Sequence, residues 1–380
     1  MSASLARMLA IAAAVDAGLP SLDLSTGGTF ARALAVYHRI GLATCVLVAS
    51  GTRAVGNRGD GVGNALQMAG ADVQRVHAYD NPTDAFWDSS SFTGTSGQND
   101  PKGGTSAYRA QVGSGGYLAE SAGGTGSAAG LSVSLWARAH TSTSAIGTNL
   151  YRATNGRVST PTVLGSSWTR IDLSGASGAE GVALVAADGR DRSGDAVPGP
   201  TAGARDVDVW GMQRTGKIYP CPWTVPSTNA DVTVPADTLS YAPGSYPVGF
   251  LTSGAAVVFA PDASSAELDA IGETWYLAYF DSSNYLKLAG DGAGHAKITM
   301  RVNGVNVVSS ALVFSRGQAI TATAKPSAGS LDVSGATSGN GTASGTGHAW
   351  PSSTLYIGGD SAGGNNVTGR FVGASIAQAA

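Results

Sequence analysis

The sequence predicts an all-β protein: two tandem β-sandwich (jelly-roll) domains preceded by a short N-terminal helix and β anchor. Three observations carry this. Gly 54 in 380 residues, with only 13% charged and 43% hydrophobic residues, describes many short strands joined by turns around packed cores. Apolar and polar residues alternate in short runs along most of the chain, the period of a half-buried strand. Around residue 210 the text changes. Asp206, Asp208 and Trp210 alternate with Val207, Val209 and Gly211, and Gly216, Pro220 and Pro222 then forbid a continuing ladder. That stretch reads as the last strand of one sandwich followed by a stiff connector into the next.

Taken in order, residues 2–17 are good helix formers with Leu5, Met8, Leu9 and Ala12 on one face, ended by Gly18-Leu19-Pro20. One such helix of about four turns is marginal alone, so it is expected to lie against another copy or a larger assembly. The apolar run Met8 to Val15 falls far short of the ~20 residues of a membrane span. Its exit is a poor cleavage site, so neither membrane insertion nor export by a signal peptide is expected. Thr29 to Tyr37 and Leu42 to Val48 suit strands, with turns at Gly27-Gly28, Gly51 and Gly59-Asp60-Gly61. The expected division is 1–76 as an attachment region, 77–218 as the first sandwich, 219–226 as the connector and 227–380 as the second sandwich.

In the first sandwich Leu131 to Ala137, Trp168 to Leu173, Gly181 to Ala186 and Val207 to Gly211 are strands. The second offers Ala255–Phe259, Trp275–Phe280, Tyr285–Leu288, Lys297–Val302, Val305–Val308, Ala319–Ala324 and Leu355–Ile357, closed by a strand around Gly369 to Ile376. Asn303-Gly304 is a hairpin signal, because both residues accept positive φ. Asp332 to Gly347 is a long loop or an edge hairpin.

The residues also exclude chemistry. A net charge of −3 gives no basic field for nucleic acid. Cys45 and Cys221 form no disulfide framework and read as small buried apolar groups. His38, His77, His140, His295 and His348 lack the spacing of a transition-metal site. No nucleophile elbow is present, and the acids Glu267, Asp269 and Glu273 show no pairing, so catalysis is not expected and no cofactor is implied. Asp188, Asp191 and Asp195 could offer oxygen ligands to Ca²⁺, although Arg190 and Arg192 compete for the same carboxylates.

For sugar binding the candidates are aromatic residues in or beside loops, whose faces stack on a pyranose: Trp87, Tyr117, Tyr151, Trp223, Tyr246 and Trp350. Trp136, Trp168, Trp210 and Trp275 fall inside strand patterns and are read as core.

Gly27-Gly28-Thr29-Phe30-Ala31-Arg32-Ala33, the Tyr37 strand, Gly41 and Gly51-Thr52-Arg53 resemble the leader of bacteriophage virion proteins, with Gln67 near the place of a family Glu. The turn at Asp100-Pro101-Lys102-Gly103, Ser134-Leu135-Trp136-Ala137-Arg138, Trp168-Thr169-Arg170 and Val207-Asp208-Val209-Trp210-Gly211-Met212-Gln213 resemble the carbohydrate-binding-module-like domains of phage appendages. Trp275 to Phe280, Asn284 to Leu288, Arg316 to Thr323 and Leu355 to Asp360 resemble a laminin-G/concanavalin-like jelly roll. In that family the loop holding Asp360, Asn365 and Asn366 is a place for calcium or sugar.

The resemblance implies a non-enzymatic virion appendage (head fibre, spike or tail fibre) of a phage or phage-derived particle. It would sit on the particle surface, join capsid or tail proteins through its N-terminus, assemble as a trimer or pentamer and adhere to host surface polysaccharide. The alternatives are a purely architectural decoration and, more weakly, a secreted glycan-active enzyme.

Overall fold

The computed structural model describes residues 21–32, 36–39, 45–57, 62–69, 72–74, 87–120, 132–141, 144–152, 158–174, 179–185, 205–215, 217, 232–362, 365–372 and 375–379. Nearly all regular structure is antiparallel β, in two sandwich units. One unit holds residues 1–35, 48–71 and 235–380 and is here the terminal unit; the inserted unit holds 36–47 and 72–234.

The chain lays down β1 (Ser21–Asp23) and β2 (Thr29–Ala31) in the terminal unit, then β3 (Val36–Arg39) and β4 (Cys45–Val48) as a separate pair. It returns to the terminal unit for β5 (Ala54–Asn57) and β6 (Asn64–Met68). The inserted unit follows, with β7 (Asp72–Gln74), β8 (Trp87–Gln98), β9 (Ala107–Glu120), β10 (Ser132–Ala139), β11 (Ser144–Arg152), β12 (Val158–Leu164), β13 (Thr169–Ser174), β14 (Ala179–Val185), β15 (Arg205–Thr215) and β16 (Val232–Val234). Their order is β12-β11-β14-β9-β15-β10-β13, with β8 on β9 and β7 linking β15 to β16.

The rest of the terminal unit is β17 (Thr238–Tyr241), β18 (Ala255–Pro261), β19 (Thr274–Asp281), β20 (Asn284–Gly290), β21 (Ala296–Val302), β22 (Val305–Val308), β23 (Ile320–Lys325), β24 (Ser330–Ser334), β25 (Gly341–Ser344), β26 (Leu355–Ile357), β27 (Gly369–Val372) and β28 (Ser375–Gln378). One sheet runs β25-β24-β23-β18-β27-β6-β5, with β28 also on β18 and β1 on β28; the other runs β2-β17-β26-β19-β20-β21-β22.

The terminal-unit core lies between these sheets. Phe259 of β18 meets Trp275 of β19 edge-on at 6.3 Å and Phe371 of β27 at 5.2 Å. Trp275 is 1% exposed, so truncating it costs about 3–5 kcal/mol. Asn303 and Gly304 take φ of 48° and 83°, the two positive values that a two-residue hairpin requires. Helix Ser265–Ile271 starts on a capping box: the Ser264 side chain accepts from the Glu267 N–H, and the Glu267 carboxylate accepts from the Ser264 N–H.

The expected strands of the second sandwich all form, the closing one as two strands, and Asp332 to Gly347 contains an edge hairpin of β24 and β25. Trp136, Trp168, Trp210 and Trp275 are all buried.

The division differs from expectation in three ways. Residues 21–31 and 54–68 are strands of the same unit as 235–379, not a separate attachment region; β1 zips onto β28, β2 onto β17 and β6 onto β27. Strands this short bury too little of their own to be read locally; the sheets they join define them. Second, β15 is not the inserted unit's last strand, because β16 pairs with β7 and the chain passes into the terminal unit between 234 and 235. Third, β15 is buried on both faces: Val207 and Val209, but also Asp208 at 1% and Trp210 at 3% exposure. The expected helix with Leu5, Met8, Leu9 and Ala12, the connector 219–226, Cys221 and the side chain of Cys45 lie outside what is described.

Candidate functional site

Alternation fixes what the seven-stranded sheet turns outward. In β20 Leu286 and Leu288 are buried in the core, so Tyr285 and Lys287 take the other face. In β21 Ile298, Met300 and Val302 point inward and leave Thr299 and Arg301 outside; in β26 Leu355 and Ile357 flank Tyr356. Strand β19 breaks the period. A register shift between Tyr276 and Ala278 inserts one residue, Leu277 and Ala278 are both buried, and Tyr276 and Tyr279 share the outer face although three residues apart.

Register then lines the residues up. Thr29, Ser240, Tyr356, Tyr279, Tyr285, Arg301 and Asn306 are successive Cα partners from β2 to β22. Tyr276, Lys287, Thr299 and Val308 form the next row. Ring centroids lie 4.8 Å apart for Tyr276 and Tyr279, 5.1 Å for Tyr276 and Tyr285, and 6.3 Å for Tyr279 and Tyr356. The rings meet at 57–64°, so they support one another edge to face and leave a ridged aromatic surface. Tyr285 is buried at the centre, and Tyr276, Tyr279 and Tyr356 are half-buried.

The Lys287 ammonium is 5.4 Å and the Arg301 guanidinium carbon 5.9 Å from the Tyr285 ring centroid. Neither cation forms an ion pair among the described residues, and Arg301 Nε is buried without an acceptor. Behind the face the indole N–H of Trp350 donates to the Arg301 carbonyl at 3.1 Å and fixes that strand. Burial, the neighbouring Tyr285 and Tyr279 and the Asp360 charge all raise the Tyr276 phenol above its usual range, so it stays a neutral donor at physiological pH.

The loop after β26 borders the Tyr276 end. The Tyr276 N–H donates to the Asn365 carbonyl at 3.1 Å, while Asp360 accepts from the Ala362 N–H at 3.0 Å and the Asn365 amide at 2.8 Å. A Cβ at Gly359 would stand 2.6 Å from the Asn366 amide nitrogen, so a larger residue there would displace that side chain. That amide donates to the Asp237 carbonyl at 2.9 Å. The Asp237 carboxylate in turn accepts from Arg32 Nε at 2.8 Å and from the Ala69 N–H at 2.9 Å, and Arg32 reaches the Thr52 carbonyl at 3.0 Å. Arg32 and Asp237 side chains are each 1% exposed. The leader arginine is thus an internal tie that seats the loop, and Gln67, near the place of a family Glu, is fully buried opposite Arg370.

Of the residues the sequence nominated, Asp360 and Asn365 border this face. Asn366 is buried and serves the tie. Two expectations are corrected: Tyr246 and Trp350 are not loop-exposed but 5% and 3% exposed, packed on Phe280, with Tyr246 also donating to the Ser353 carbonyl. Both lie in coil, but both rings complete the core. Trp87, Tyr117 and Tyr151 lie in β8, β9 and β11, Trp87 as the first residue of its strand and Tyr151 as the last but one, and their side chains fall outside the described set. Trp223 and Asp188, Asp191 and Asp195 lie outside it entirely. Among the described residues no three His, Cys, Asp or Glu gather as a metal site. Glu267 pairs with Arg316, Asp269 accepts from the Gly292 and Gly294 N–H groups, and Glu273 accepts from the Trp275 indole.

The tyrosine row was missed because its strands were read for their core-facing side alone. The signal was present in Tyr285-x-Lys287, Thr299-x-Arg301 and Tyr356, which alternate with aliphatic neighbours.

No protein-family model and no curated protein matches the chain. Among solved structures it is similar to the N-terminal CBM22-1-CBM22-2 tandem domain of Paenibacillus barcinonensis Xyn10C, at 8% identity and TM-score 0.27, over 80% of this chain and 99% of that one. It is also similar to domains LG4-5 of the mouse laminin alpha1 chain, at 14% identity and TM-score 0.22, over 69% of this chain and 87% of that one. At such scores no residue role passes from either to this chain.

Proposed function

We propose that the terminal unit is a non-catalytic carbohydrate-binding domain, with the outer face of its seven-stranded sheet as the binding surface. The observation that carries this is the alignment of Tyr356, Tyr279 and Tyr285 on consecutive strands, with Tyr276 beside them. Strands repeat at about 4.8 Å, close to the length of one pyranose unit. A polysaccharide running across the strands therefore meets the half-buried Tyr356 and Tyr279 on successive strands, with the buried Tyr285 supporting them. The C–H faces stack on the rings while Ser240, Thr299, Asn306 and the phenols bond hydroxyls.

In the wider reading, which rests on the sequence resemblance alone, the chain is an appendage of a phage or phage-derived particle and binds host surface polysaccharide. Because residues 21–32 and 48–69 belong to the terminal unit, attachment to other virion proteins falls to residues 1–20, including Leu5, Met8, Leu9 and Ala12. Several copies on one particle would convert weak sugar contacts into avidity.

Affinity electrophoresis of the full chain through gels cast with bacterial surface polysaccharides tests the binding role. Retardation that Tyr279→Ala abolishes is expected. Unaltered mobility in every gel, or retardation indifferent to Tyr279→Ala, would overturn it.

A further inference from the structure

We infer that the polysaccharide this face takes is acidic, with a carboxylate or sulfate of the chain seated between Lys287 and Arg301. The inference rests on the carbohydrate reading of the same face and adds the charge class of the ligand.

Arg32, Arg109, Arg138, Arg170 and Arg316 each hold a carboxylate, and Lys297 reaches Asp291 at 3.6 Å. Arg53, without a carboxylate, donates instead to the Gly27 and Gly28 carbonyls, whereas Lys287 and Arg301 form no ion pair among the described residues. They sit on adjacent strands, on neighbouring outward rows, and both lie against the Tyr285 ring without an ion-pair partner among the described residues. Arg301 Nε is buried with its hydrogen-bonding capacity unused, as Arg53 Nε is, an unsatisfied state that costs free energy. An ordinary solvated surface arginine keeps that donor wet.

The surrounding residues leave the charge uncompensated. The two outward rows contain Thr, Ser, Tyr, Asn and Val beside the two cations and no carboxylate. Asp281 in the β19–β20 turn is occupied by the Ser283 N–H and the Asn284 amide. Asp360, the acid felt at Tyr276, is engaged by Ala362 and Asn365. Lys287 is the cross-strand neighbour of Tyr276 and Arg301 that of Tyr285, and the loop with Asp360 borders the Tyr276 end. A planar guanidinium and an ammonium held against one aromatic ring suit an anionic substituent on a sugar lying over the neighbouring tyrosines. Single-stranded nucleic acid also combines stacking with anions, but it needs a basic track along its backbone, and this face offers two cations in a chain of net charge −3.

The test is calorimetric titration of the full chain with polygalacturonate, carboxyl-reduced polygalacturonate, dextran sulfate, dextran and poly(dT). At least one acidic polysaccharide is expected to bind about tenfold or more tightly than its neutral counterpart. The advantage should shrink at high salt and vanish in Lys287→Gln/Arg301→Gln, whose unchanged thermal unfolding shows an intact fold. Preference for polygalacturonate assigns the pocket to carboxylate and preference for dextran sulfate to sulfate. The inference is overturned if neutral polymers bind equally well, if the preference survives the double substitution, or if poly(dT) binds tightest. Neutral binding that remains sensitive to Tyr279→Ala would sink the acid preference alone. Silence from every polymer would sink the carbohydrate reading with it.

Discussion

Two polar rows run across β-sheets in this protein, one in each unit, and they treat charge in opposite ways. In the inserted unit Asp208 is buried and accepts from Arg138 Nε at 2.8 Å and from His140 Nδ1 at 2.7 Å, while Asp206 takes a two-pronged contact from Arg109. Trp210, next in the same alternation, donates its indole N–H to Ser106 Oγ at 3.0 Å, and Arg138 lies 4.8 Å over the Trp168 ring. Every one of those groups is answered from within. In the terminal unit the tyrosine row is equally aromatic and carries Lys287 and Arg301, yet no carboxylate answers them. A row closed on itself specifies register and packing; a row left open is available to something outside the chain. The difference lies in the carboxylates, which the first row contains on β15 and the second lacks.

That contrast can be broken by experiment. The largest expected effect comes from the tie beneath the open row. Asp237→Ala strands the Arg32 guanidinium and the Ala69 N–H in a dry site and should lower the unfolding free energy by about 3–5 kcal/mol, read by urea denaturation. In the closed row Asp208→Ala, which leaves Arg138 and His140 without their acceptor, should cost about 2–4 kcal/mol in the same assay. Arg301→Gln in the open row should stay within ~0.5 kcal/mol of the parent. Equal losses at the two positions would erase the distinction.

Tyr279→Ala sharpens the comparison by separating stability from binding. Loss of its ring contacts should cost about 1 kcal/mol of stability, while polysaccharide affinity falls about tenfold or more, which is ~1.4 kcal/mol or more. The smallest effect concerns pH. The Arg109 guanidinium, against some burial, holds the Asp206 carboxyl below its usual range. Its contribution is therefore present above the unfolded value near 3.8 and is lost as pH falls through the lower folded value. Asp206→Asn should flatten the acid limb of a stability-against-pH curve below about pH 4; an unchanged limb would mean the pair is inert.

Much of the fold was legible because it depends on local period and turn chemistry. Leu286 with Leu288, and Ile298 with Met300 and Val302, announce core-facing alternation, Asn303-Gly304 announces its hairpin, and both agree with the sheets that form. The candidate site was less legible. Tyr246 and Trp350 stand beside Gly, Ser and Pro and read as exposed, but packing against Phe280 decides their place. Tyr276 and Tyr279 share a face only because one residue of β19 is a bulge, and strict period-2 reading assigns them to opposite faces.

By itself the sequence determined the all-β class, the core tryptophans and most strands of the second sandwich, because hydrophobic alternation and turn residues act over a few positions. It took the folded chain to show that residues 21–32 and 48–69 complete the sandwich begun at 235, that Arg32 meets Asp237, and that four tyrosines on three strands form one surface. Those outcomes depend on register and on contacts between distant segments. Their stability comes from pairing energy and burial shared across the fold, and no short window of sequence contains both partners.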